Sequence, residues 1–151
     1  MSILSLHTVL SIYTFKETIM TSSKKFRLAV VGSRTCESPH LIPIWLNKFL
    51  ASHHNNLIIV SGGAKGVDTL ATDWAKAHNV PTDIYLPDWS GQGPSAGFIR
   101  NHAIWGNADM GIAFWDGFSR GTAHSFTLAN KHAKPLIIVL THKQSIGGMS
   151  S

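Results

Sequence analysis

Three apolar, strand-like runs in this chain each end in a glycine turn that carries a cation. They are Val-Val-Gly-Ser-Arg at 30–34, Val-Ser-Gly-Gly-Ala-Lys-Gly-Val-Asp at 60–68 and Trp-Asp-Gly-Phe-Ser-Arg-Gly-Thr at 115–122. The second and third lead straight into helical patterns, and the first into one a few residues later. Repetition of strand, turn and helix predicts a parallel sheet joined by helices. It also brings the N–H groups of helix starts to one sheet edge, where they can hold a phosphate.

The remaining periodicity completes the pattern. Strands are expected at 27–31, 57–60, 82–86, 110–115 and 136–140. Between them, helices are expected at 40–53, 67–78, 96–107 and 121–133. Ile42, Trp45, Leu46, Phe49 and Leu50 form the apolar stripe of the first helix, and Val67, Leu70, Ala71, Trp74, Ala75 and His78 that of the second. Asn79 and Pro81 close the second helix. The stretch 87–94, Pro-Asp-Trp-Ser-Gly-Gln-Gly-Pro, is too polar and glycine-rich for regular structure. The expected fold is a single Rossmann-like, three-layer α/β/α domain with a five-stranded parallel sheet in the order 3-2-1-4-5. In such sheets ligands bind beyond the carboxyl ends of the strands where the order reverses, here between strands 1 and 4.

Charge narrows the ligand. The formal net charge is +5, yet between Arg27 and Leu140 there are 9 Lys and Arg against 7 Asp and Glu, so most of the excess lies in the tails. Basic character is local rather than a broad polyanion-binding face. One cysteine, Cys36, excludes an internal disulfide framework and fits the cytoplasm. No run of 18 apolar residues exists, so no membrane partner is expected. Residues 1–23 are Ser/Thr-rich and lack the basic start and cleavage site of a signal peptide, and Met20 resembles a natural start. The expected organisation is a dispensable extension at 1–23, a nucleotide-binding domain at 24–140 and a flexible tail at 141–151. A homo-oligomer is compatible with the pattern.

Four cations, Arg34, Lys65, Arg100 and Arg120, fall at the predicted ligand edge, four of the nine in the core. Arg suits bidentate contact with phosphate, whereas Lys acts as a point charge. Around them the candidate ligand-binding residues are Gly32, Ser33, Ser61, Gly62, Gly63, Gly66, Asp68, Asn101, Gly117, Ser119, Gly121 and Thr122. Asp68 either caps the first turn of its helix or accepts hydrogen bonds from a ribose or base. Asp116, at the end of strand 4, is the best acid/base candidate. Trp89 and Trp115 lie where a base could stack, while Trp45, Trp74 and Trp105 belong to core or interface. Nine histidines show no metal-ligand spacing, and neither metal nor cofactor is expected.

Ser61-Gly62-Gly63-Ala64-Lys65-Gly66-Val67-Asp68, Phe98-Ile99-Arg100-Asn101 and Ser119-Arg120-Gly121-Thr122, with Gly32-Ser33-Arg34 before them, resemble the SLOG superfamily over about residues 27–140. That superfamily joins the Smf/DNA-processing proteins to the Lonely Guy phosphoribohydrolases, and the segments are most similar to its small, stand-alone YspA-like branch. The Lonely Guy side of the resemblance implies hydrolysis of the N-glycosidic bond of a nucleoside 5′-monophosphate by an Arg, matched by Arg100, and a Glu. At the Glu position this chain has Ser125, which supplies no carboxylate, and Trp115-Asp116-Gly117 replaces Pro-Gly-Gly. The DNA-processing side implies single-stranded DNA binding. The leading expectation is a protein that binds a nucleotide or nucleotide-derived small molecule, as a sensor would. The alternatives are a nucleotide N-glycosidic hydrolase and, third, a single-stranded nucleic-acid binder.

Overall fold

The strand β1 (Phe26–Gly32) is apolar at every position but Arg27 because both of its faces are covered. Its alternating side chains enter two different cores, as the two-residue period of a strand requires. Leu28 and Val30 pack with Ile59, Ile112, Phe114 and the buried sides of α1 (Leu41–His53) and α2 (Val67–Ala77). Ala29 and Val31 pack with Val60, Ala113 and the buried sides of α4 (Ala96–Asn107) and α5 (Arg120–Lys131). In this computed structural model, which describes residues 24–141, the sheet is therefore sandwiched between two helical layers.

The other strands are β2 (Leu57–Ser61), β3 (Thr82–Ile84), β4 (Met110–Trp115) and β5 (Leu136–Leu140). All pairings are parallel and the order is β3-β2-β1-β4-β5, as the sequence predicts. The chain moves outward from β1 to β3, then crosses back to place β4 on the other side of β1. Gly32 stands in register with Phe114, which sets the ends of β1 and β4 level at the point where the order reverses.

Some details depart from the sequence reading, among them β3, which ends at Ile84 rather than at 86. The stretch 87–94 is partly helical: a short turn α3 (Trp89–Gln92) is followed by a 3-10 turn at Gly93–Ser95. Asp88 caps that turn, accepting from the Gly91 N–H at 2.9 Å and the Ser90 hydroxyl at 3.1 Å, so a local cap supplies what composition did not suggest. Leu70 is 37% exposed, because a strict helical stripe is wider than the surface α2 buries. Trp115 lines none of the cavities at the site edge: its indole N–H donates to the Ser119 carbonyl at 3.1 Å and its ring meets Phe126 edge-on. Thr141, expected in the tail, is buried, with its N–H on the Trp115 carbonyl at 2.9 Å and its carbonyl accepting from Ser38. The extension at 1–23 and the tail from 142 lie outside the described residues. Trp74 and Trp105 are core, and Trp45 is half-buried under Lys48. No helix among the described residues is long and apolar enough to cross a membrane.

Candidate functional site

Beyond Gly32 the backbone is locked in place by its neighbours. The Ser33 N–H donates to the Phe114 carbonyl, the Ser33 carbonyl accepts from the Val67 N–H, and the Ser33 hydroxyl accepts from the Asp116 N–H, at 3.1 to 3.2 Å. One buried serine thus ties the first turn to the second and third. Ser33 thereby braces the three turns against one another. Ser61 is buried too, its hydroxyl accepting from the Gly63 N–H at 3.3 Å within the second turn. Beyond both braces, Arg34 projects as an exposed side chain over the sheet edge.

In the second turn, Gly66 has a φ of 82° and packs so closely on the Ser33 and Arg34 carbonyls that a Cβ has no room. Gly62 has a different constraint, since a Cβ there would lie 2.7 Å from the Arg100 guanidinium. Arg100, on the first turns of α4, uses that gap: Nη1 donates to the Gly62 carbonyl and Nε to Asn101 Oδ1 at 2.9 Å. In the third turn Gly117 has a φ of 87°, and Asp116 Oδ1 accepts from the Phe118 and Ser119 N–H groups at 2.8 and 2.7 Å. The start of α5 has no side-chain cap from Ser119, whose hydroxyl accepts from Thr122 Oγ1 at 3.1 Å. A helix start has N–H groups with no intrahelical acceptor, and here Gly121 and Thr122 carry them at the cleft wall.

The result is a cleft of about 420 Å³ over the ends of β1 and β4, within the size range of small-molecule sites. Of the residues singled out in the sequence, Gly32, Arg34, Gly62, Asp68, Arg100, Asn101, Asp116, Ser119, Gly121 and Thr122 line it. Lys65 and Gly63 lie instead on an adjoining groove, and Arg120 faces a neighbouring cavity. Gly66, Gly117, Ser33 and Ser61 shape the walls without lining them. Thr35, Ile104 and Ser125 also line the cleft, although sequence reasoning does not mark them as ligand contacts. Thr35 follows Arg34 directly and Ile104 follows Arg100 by one helical turn, which is the signal that could have found them.

The two carboxylates have opposite environments. Asp116 is held below the usual carboxylate range: burial acts to raise it, but the Ser119 and Phe118 N–H groups and Ser33 outweigh that effect. Its oxygen is committed to the turn. Asp68 is 7% exposed, and burial pushes its carboxyl from 3.8 up to about 6 against the opposing pull of the Ala64 N–H, Arg100 and Gly62. The Ala64 bond is 3.1 Å. Burial lowers the pKa of Arg100, with Asp68 acting to raise it and Arg34 to lower it further. Both carboxylates line the cleft, and they are perturbed in opposite directions, Asp68 upward by burial and Asp116 downward by the N–H groups of its turn. Among the described residues no group of three or more His, Cys, Asp or Glu could hold a metal.

The Asp68 shift has a measurable consequence. Between pH 3.8 and about 6 the unfolded chain has released this proton while the folded protein keeps it. Stability from this group is complete below the lower value and is lost as pH rises toward the upper one. A shift of this size corresponds to about 3 kcal/mol, so Asp68→Asn should be more stable than the parent at pH 8 by about 1 to 3 kcal/mol, with the difference vanishing near the lower pKa. Urea midpoints across pH measure it. A parent more stable than the variant at pH 8 would show that the bonds to Ala64 and Arg100 outweigh burial.

A five-stranded parallel sheet with its cleft at the topological switch point defines a Rossmann-like α/β protein. The family model described as "YspA, cpYpsA-related SLOG family" matches residues 26–91. The Gene 61 protein of Mycobacterium phage D29 is 32% identical over 117 residues, covering 74% of this chain and 94% of the phage protein. The chain belongs to the YspA, cpYpsA-related SLOG family. Its fold is similar to that of DNA processing protein A (DprA) from Streptococcus pneumoniae, with a TM-score of 0.63 at 22% identity, over 86% of this chain and 55% of that one. It is also similar to DNA processing protein A from Helicobacter pylori, whose structure is described for its single-stranded DNA binding mode. There the TM-score is 0.61 at 25% identity, over 83% of this chain and 68% of that one. This chain thus spans little more than half of the Streptococcus protein.

Proposed function

We propose that the cleft binds a nucleotide or nucleotide-derived small molecule through its phosphate. One observation carries the reading: Arg34, Arg100 and the uncapped start of α5 meet on a single cleft at the switch point of the sheet. Arginine forks and free helix N–H groups both prefer an anion, and three such groups around one space favour a phosphate over a neutral ligand. The wall beside Asp68 and Asn101 offers the hydrogen bonds a ribose or base requires. The unit responsible is the domain at 24–140, and its lone Cys36, half-buried against the core, suits the reducing cytoplasm. A sensor is the role that fits a binding site of this kind.

A hydrolytic reading has one specific observation in its favour. Asp68, with a pKa of about 6, is mostly ionised at neutral pH and lines the same cleft as Arg100, which suits it to activate water. Ser125 lines that cleft too and brings no carboxylate, so any glycosidic cleavage falls to Asp68 or Asp116, the two carboxylates in the lining. Binding to a single strand of DNA, the property for which the Helicobacter protein is described, is the third reading.

Isothermal titration with a panel of nucleosides and their phosphates tests the proposal, with free base measured in the same solutions. The expected result is binding that requires the phosphate and no release of base. Equal binding of nucleoside and nucleotide would contradict the phosphate reading. Release of base that Asp68→Asn abolishes would establish the hydrolytic one.

A further inference from the structure

The main cleft has a neighbour. A second cavity of about 370 Å³ opens beside it and shares Arg34, Arg100, Asn101 and Gly121 with it. The two spaces differ in character. The main cleft balances Arg34 and Arg100 against Asp68 and Asp116, whereas the second adds Arg120 and has no carboxylate in its lining. Its far wall carries two large aromatic side chains in solvent, Trp89 at 57% exposed and Phe98 at 58%. Neither is loosely held. Trp89 opens the turn that Asp88 caps, and its ring tip comes within 3.5 Å of where a Gly97 Cβ would stand. Phe98 meets the His124 ring edge-on at 4.8 Å.

The anion-binding groups therefore lie on the border between two compartments. A ligand with a terminal phosphate would place it on that border and fill only one of them. On the basis of the phosphate-binding reading above, we infer that the ligand carries its phosphate in the middle, as a dinucleotide does. One nucleoside occupies the main cleft beside Asp68, the bridging phosphate or pyrophosphate rests between Arg34, Arg100 and Arg120, and the second ring stacks on Trp89. Stacking on an aromatic ring is sequence-tolerant and improves affinity by roughly 10-fold or more per base. The cationic second cavity favours the same placement, since a bridging phosphate keeps its charge between the compartments.

Titration of the full-length protein with a nucleoside monophosphate, a dinucleoside pyrophosphate and single-stranded oligonucleotides of two to eight units tests this, with tryptophan fluorescence as a second readout. The expected result is that the dinucleotide binds at least about tenfold more tightly than the mononucleotide and quenches fluorescence. Trp89→Ala then brings the dinucleotide down to the mononucleotide's affinity and removes the quench, whereas Trp89→Phe keeps most of the gain. Melting temperature checks that both variants fold. Equal affinities for mono- and dinucleotide, unaffected by Trp89→Ala, would overturn the inference and leave the phosphate-binding reading intact. Affinity that keeps climbing beyond two units would overturn it in favour of strand binding. Failure of both nucleotides to bind would overturn this inference and the proposed function together.

Discussion

Arg100→Ala should weaken binding of a phosphate-bearing ligand by about 1.5 to 3 kcal/mol, the range for a charge-assisted hydrogen bond, or roughly 10- to 150-fold in Kd. Arg34→Ala should cost a similar amount, but the two variants should part company in stability. Arg34 is exposed, so its loss leaves the melting temperature where it was. Arg100 is half-buried and donates to the Gly62 carbonyl, so its loss leaves that carbonyl short of a donor. It also removes the positive charge that opposes the rise in the Asp68 pKa. The Asp68-linked fall in stability should therefore extend to higher pH in Arg100→Ala. Calorimetric titration and urea unfolding across pH separate these effects, and unaltered affinity in both variants would remove the arginines from the site.

Gly66→Ala should be the most damaging single methyl in the domain. The position combines a φ of 82° with carbonyl oxygens of Ser33 and Arg34 where the Cβ would go. Backbone strain and overpacking each cost about 1 to 3 kcal/mol, and together they should lower stability by about 3 kcal/mol or more. The loss falls on the junction of β1 and α2, because the Val67 N–H bond to Ser33 must lengthen if the turn relaxes. Gly106→Ala on α4 is the matching control. A Cβ there meets nothing closer than His132 at 3.8 Å, and the helix gains from losing a glycine, so the change should lie between neutral and about 1 kcal/mol stabilising. Equal urea midpoints for the two variants would mean that the turn is not rigid.

The sheet is readable because a buried parallel strand and an amphipathic helix leave different periods, and the alternation of the two repeats from β1 to β5. Strand 4 and strand 5 match their predicted bounds, and the strand order follows from the connections. Those patterns report the local chain. What they do not report is which polar side chain turns inward. Ser33 and Ser61 look like ligand donors in sequence because they flank glycines, yet the Ser33 hydroxyl accepts from the Asp116 N–H of the third turn and the Ser61 hydroxyl from the Gly63 N–H of its own. Asp68 and Asp116 look alike as carboxylates at the sheet edge. Burial, which depends on packing from distant segments, raises one and the local N–H groups of a turn lower the other. Trp89 and Trp115 are equal in sequence as aromatic neighbours of the site, and only the fold shows Trp115 bonded to the Ser119 carbonyl while Trp89 stands in solvent. Arg120 belongs to the third glycine turn in sequence, but its position at the first residue of α5 turns it to the second cavity.

Backbone amide shifts in a two-dimensional NMR titration with a nucleoside monophosphate test the central claim most directly, because they report position and binding together. Phosphate held by Arg34, Arg100 and the start of α5 should move the amides of Gly32 to Thr35, Gly62 to Asp68 and Arg120 to Thr122, and leave those of the opposite sheet edge, such as Phe26, Leu57 and Met110, in place. Saturating shifts confined to those three turns are the predicted result. Shifts centred anywhere else on the domain, or none at concentrations where calorimetry detects binding, would contradict the assignment of the cleft.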